Sequence, residues 1–163
     1  MTRFAEKTGV SSARSREEIE RTLQRYGADQ FLYGWQDDAA VVGFRMQGRH
    51  IRFVLAMPAR DEERFTHHSR GPRAPEAALK EWEQAVRQRW RALNLVIKAK
   101  LEAVESGISE FEDEFLANIM LPGGETAGAW MRPQIAEAYR IGTMPDLLPM
   151  LPAPSSDGQR GEQ

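Results

Sequence analysis

The apolar residues of this chain recur in two rhythms. Across residues 75–105 they fall at Leu79, Trp82, Val86, Trp90, Leu93, Ile97, Leu101 and Val104. Steps of three and four place them on one stripe of an α-helix. At 1.5 Å per residue such a helix is about 45 Å long. Pro75 suits its first turn, and Ser106-Gly107 supplies its end. Between residues 31 and 57 the rhythm is two. Phe31, Tyr33 and Trp35 alternate with smaller residues, as do Val42, Phe44 and Met46, and then Ile51, Phe53, Leu55 and Met57. Each alternation marks a strand with one apolar face. Gln36-Asp37-Asp38 and Gln47-Gly48 are the turns between them, so the three strands form an antiparallel meander. The apolar face of that sheet needs a cover, and the long helix carries the matching stripe.

Shorter helices flank this pair. Ser15 and Glu18 have capping-box spacing ahead of Ile19, Leu23 and Tyr26, and Gly27 closes that helix. Ser109 and Glu112 repeat the pattern ahead of Phe111, Phe115, Leu116 and Ile119. After the Pro122-Gly123-Gly124 turn, residues 126–139 read as a last helix with Trp130, Met131, Ile135 and Tyr139 inward. Pro133 then belongs in its first turn or at a kink. The fold class is α+β: a short helix, a three-stranded antiparallel meander, a long helix packed on the sheet, and two further helices. Residues 1–14 read as a flexible arm, 15–142 as a single domain, and 143–163 as a Pro-rich disordered tail. Residues 59–74 are a polar connector whose second half, with His67, His68, Arg70 and Arg73, is basic.

Composition narrows the chemistry. At 163 residues the chain has the size of one domain with a real hydrophobic core. The absence of cysteine excludes disulfides, thiolate zinc sites and a cysteine nucleophile, and fits a cytoplasmic location. No apolar run approaches the roughly eighteen residues that span a bilayer, so no membrane partner is expected. The formal net charge is only −2, so any anion site must be local. One such place is a second helical stripe, Lys80, Gln84, Arg87, Arg91, Asn94 and Lys98, turned from the apolar one by about 100°. Every charge between residues 87 and 100 is positive.

Enzyme constellations are missing. The histidines are His50, His67 and His68; two are adjacent on the connector, where neighbouring side chains diverge too far to share a metal. The acidic run Glu110, Glu112, Asp113 and Glu114 is what a helix macrodipole favours at an amino terminus. No Gly-x-Ser-x-Gly motif occurs, and Leu121-Pro-Gly-Gly-Glu125 lacks the Gly-Lys-Ser/Thr ending of a phosphate loop. The expectation is a non-enzymatic protein with no catalytic residue, no metal and no cofactor. In the proposed topology Arg45, Arg52, Arg70, Arg73, Arg87, Arg91 and Lys98 lie close enough to track phosphates, with aromatic rings nearby for base stacking. The partner is then a nucleic acid, with single strands preferred. The alternative is that these charges are a solvated face and the chain is a protein-interaction module, an inhibitor or assembly factor for a host or phage protein. It would use the other face of the sheet (Leu32, Gly34, Val41, Gly43, Arg45, Arg52, Val54) and residues 145–149.

Three segments carry a resemblance. Arg25-Tyr-Gly-Ala28, Ile51-Arg-Phe-Val-Leu55, and Arg89-Trp-Arg-Ala-Leu93 followed by Ile97-Lys-Ala-Lys-Leu-Glu-Ala103 resemble a family of small phage and prophage proteins. The similarity runs over residues 15–149; it implies a phage-related setting and brings no catalytic residues. In architecture, a helix, a three-stranded meander and a long helix laid across it is similar to the core of single-strand annealing proteins. The double-stranded-RNA-binding domain shares that order, but the Lys-Lys-x-Ala-Lys signature of its second helix does not occur here. These likenesses raise the expectation of nucleic acid, although fold alone transfers no function.

Overall fold

The computed structural model describes residues 3–36 and 38–143. Helix α1 (Arg3–Arg25) leads into strands β1 (Gln30–Gln36), β2 (Ala39–Met46) and β3 (Arg49–Ala56), which pair in the order β1-β2-β3, all antiparallel. A one-turn helix α2 (Glu63–Thr66) and a two-residue hairpin, β4 (His67–His68) with β5 (Gly71–Pro72), follow. Then come the long helix α3 (Pro75–Glu105), a short α4 (Phe111–Phe115) continued by a 3-10 turn (Leu116–Asn118), and α5 (Ala127–Ile141). The fold is thus α+β, with a three-stranded meander covered by a long helix.

The turns are where the chain chemistry demands them. Gln47 and Gly48 both have positive φ, 50° and 72°, the pattern of a tight hairpin turn whose twist matches the strands. Gly107, at φ 72°, reverses the backbone after α3, and the Ile108 N–H bonds back to the Ala103 carbonyl at 2.9 Å. Along β2 every second residue is buried: Ala40, Val42, Phe44 and Met46. With Ile51, Phe53 and Met57 they meet the α3 seam of Trp82, Val86, Trp90, Leu93, Ile97 and Leu101. Phe111 and Phe115 close one end of this core and Phe65 belongs to it too. Full burial of each large apolar side chain contributes roughly 1.5–3 kcal/mol, against about 0–1 for an exposed ion pair. The seam therefore holds the layers together.

Some local expectations do not survive. Helix α1 begins at Arg3, so residues 3–14, read as a loose arm, are helical and Ser15 lies inside the helix instead of capping it. Gly9 and the serines lower intrinsic helix propensity there, but extending an existing helix costs far less than starting one. Ser109 forms no capping box: Glu110 is the cap residue of α4 and makes no side-chain cap bond. The last helix does start at Thr126, whose hydroxyl accepts from the Ala129 N–H at 3.2 Å. Its apolar residues do not point into the core, however. Trp130, Ile135 and Tyr139 are exposed, and no residue of α5 is fully buried. Pro133 sits in its second turn, not its first. The segment 145–149 lies outside the described residues.

Candidate interaction surfaces

The seven cations singled out from the sequence do not share one surface. In β2 and β3 the alternation that buries Val42, Phe44 and Ile51 turns Arg45 and Arg52 to the opposite side, away from α1 and α3. Arg45 is held by Asp29 through contacts of 2.6–3.1 Å. That hydrogen bond keeps the Asp29 carboxyl below its ordinary range. The Arg52 guanidinium has a buried Nε with no hydrogen-bond partner among the described residues, while its carbonyl accepts from Asn118 Nδ2 at 3.1 Å. Arg70 is exposed in the β4–β5 hairpin, and Arg73 Nε donates to the His67 carbonyl at 3.1 Å. Arg87 and Arg91 are exposed on α3. The sheet and its core stand between these two arginines and the Arg45–Arg52 pair.

Lys98 is paired with Glu18 of α1 at 2.5 Å. Asn94, on the same stripe, is buried, and the Tyr26 hydroxyl donates to Glu102 at 3.1 Å. The stripe that looked like a solvated basic flank is therefore, from Asn94 onward, the seat of α1. The polar residues Glu18, Thr22 and Tyr26, spaced by four on α1, are the signal that could have shown this. At the other end of α3, the Trp82 indole N–H donates to the Pro58 carbonyl at 2.8 Å, and the Arg60 guanidinium stacks 4.3 Å from its ring. The connector is thus pinned to the helix.

Among the uncovered apolar surfaces of the described residues, two form grooves. The first is the outer face of the sheet. Cross-strand pairing arranges it in rows, Leu32–Gly43–Arg52 and Gly34–Val41–Val54. Leu32 is 66% exposed and Val54 57%. Leu32 leans over Gly43, and a groove of about 730 Å³ on this face is lined by Leu32, Val41, Gly43 and Arg52 together with Met120, His50 and Gln30. The second lies between α5 and the α4 region, a groove of about 800 Å³ walled by Leu116, Leu121, Trp130, Met131 and Ile135. There Gly128 lets α5 approach Ala117 so closely that a Cβ would stand 2.7 Å from the Ala117 carbonyl oxygen.

His67 and His68 are exposed on β4, and among the described residues no three His, Asp or Glu side chains gather as metal ligands would. No helix among those residues is long and apolar enough to cross a membrane. Comparison with known proteins finds no matching family model, curated protein or solved structure.

Proposed function

We propose that this chain is a non-enzymatic protein-binding module whose uncovered sheet face receives an amphipathic helix of a partner protein. The observation that carries the reading is the outer row pattern: exposed Leu32 and Val54 bordering a floor of Gly34, Val41 and Gly43. Contiguous exposed apolar surface rimmed by polar residues is characteristic of interaction sites. Three strands at about 4.8 Å spacing make a face roughly 10 Å across, the diameter of one helix with its side chains. The rim gives the partner its polarity. Arg45, His50 and Arg52 stand along one end, and this basic end supports a carboxylate on the incoming helix.

The test places a photo-crosslinking residue at Leu32 in cells that naturally encode the protein. The expected result is a discrete adduct with a different protein that survives nuclease digestion and is lost when Val54→Asp is added. A crosslinker at exposed Lys80 of α3 serves as control. No adduct above that control overturns the proposal. An adduct abolished by nuclease instead favours the nucleic-acid reading, which rests on the solvent-facing Arg70, Arg87 and Arg91.

A further inference from the structure

The meander has two edges, and the chain treats them differently. The first half of the β3 edge is covered: the Met120 N–H donates to the His50 carbonyl at 2.8 Å, Ile119 bridges to Ile51, and Asn118 caps the Arg52 carbonyl. The β1 edge has no strand beside it among the described residues. Edge strands normally guard themselves with charge, proline or a bulge. Strand β1, Gln-Phe-Leu-Tyr-Gly-Trp-Gln, has no charged residue and no proline, and its pairing with β2 runs through seven consecutive residues without a break.

The same strand is nearly symmetric about its centre. We infer that β1 pairs with β1 of a second copy of this chain, antiparallel and centred on Tyr33, joining two meanders into one six-stranded sheet. In that register Gln30 of one copy stands opposite Gln36 of the other, Phe31 opposite Trp35, Leu32 opposite Gly34, and Tyr33 opposite itself. The helix-covered face gains aromatic-on-aromatic pairs, among the more favourable cross-strand neighbours. The outer face gains a large residue against a small one, and the two ends gain amide against amide. No like charges oppose one another within the strand. Phe31, Tyr33 and Trp35 are half-buried in the single chain and become further buried in the pair.

Seven residue pairs provide about six to eight new backbone hydrogen bonds, because alternate antiparallel pairs each exchange two. The contact is isologous, closes with two-fold symmetry, and uses an edge of the meander with no strand beside it among the described residues. One opposing term is visible. The Arg16 guanidinium lies 4.3 Å from the Tyr33 ring, so two guanidinium groups approach the axis. Glu20, one turn further along the same helix stripe and lining a small cavity with Phe31, supplies the compensating charge. The pairing uses the backbone edge of β1 and the outer-face site its side chains, so a Leu32 crosslink to a second copy reports the pairing and one to a different protein reports the outer-face site.

The full chain should sediment as a concentration-dependent dimer. Because it has no cysteine, introduced pairs report unambiguously. Leu32→Cys/Gly34→Cys places each thiol opposite the other kind across the axis, closer than the two same-strand positions, which at about 6.6 Å lie at the outer limit for a disulfide. Mild oxidation should give a covalent dimer in high yield. Val54→Cys/Ala56→Cys, with the same spacing on β3, should not. Gly34 has open space and no left-handed φ, so the change is tolerated. In the unmodified chain, exchange of the β1 amides should slow about tenfold or more between dilute and concentrated protein. A monomer at all concentrations overturns the inference. So does a dimer in which β1 exchange is unchanged, or in which the β3 pair crosslinks as well as the β1 pair.

Discussion

Gly128 illustrates how one missing carbon sets a helix against its neighbour. It lies in the first turn of α5, where alanine is ordinarily the better helix former by about 1 kcal/mol. Here an added Cβ would meet the Ala117 carbonyl oxygen at 2.7 Å and the Ala117 Cβ at 3.1 Å. The oxygen is backbone and cannot swing away, and overpacking of this kind costs about 1–3 kcal/mol. Gly128→Ala should therefore lower the urea unfolding midpoint or loosen α5. Gly123→Ala, in open space on the preceding turn, should leave it nearly unchanged. A larger loss from Gly123→Ala than from Gly128→Ala would contradict the packing argument. The sequence places Gly123 in a turn and Gly128 in a helix but does not show the obstacle at Gly128, which comes from a residue eleven positions away. Trp82 and Trp90 are the opposite case: their place on the apolar stripe of α3 is readable from spacing alone, and both are buried.

Among the elements, α3 was legible to its ends, Pro75 and Glu105, because a start signal, an unbroken stripe and a glycine stop all agree. Helix α1 was legible only in its second half. Its polar side was hidden because Glu18 and Lys98 meet only after the meander has brought the two helices together. That contact has a pH signature. The Glu18 carboxyl is held below its ordinary value of 4.5, first by the hydrogen bond from Lys98 and then by that from Asn94. Glu114 is lowered in the same way by Lys100, and Asp29 by Arg45. A depressed folded-state pKa adds stability above the unfolded value, which is lost as pH falls through the folded one. The melting temperature should thus be flat near neutrality and decline as pH falls below about 4.5. Lys98→Met should make that decline shallower without altering the neutral plateau much, since these are exposed pairs. An unchanged acid limb would remove Glu18–Lys98 from the account.

For the whole molecule, the decisive feature is that a sheet has two sides. The seven cations were read as neighbours because the topology brings strands, connector and helix together. Strand alternation instead sends Arg45 and Arg52 to the face away from α3, and ion pairing uses Arg45 and Lys98. A phosphate-tracking groove gains affinity from cations acting on one backbone path. The expected outcome is no saturable binding of single-stranded or duplex oligonucleotides by micromolar protein at about 0.15 M salt. Saturable binding with a steep salt slope, reduced by Arg87→Ala/Arg91→Ala, would restore the nucleic-acid reading.

Local rules sufficed for the α+β class, the three strands with their turns and the α3 seam, since each depends on side-chain period and backbone preference within a few residues. The seat of α1 on the polar flank of α3, the outward turn of α5 and the separation of the arginines were settled only by tertiary structure. Each depends on which face another element occupies, and period alone cannot tell a flank that meets water from one that meets a distant helix.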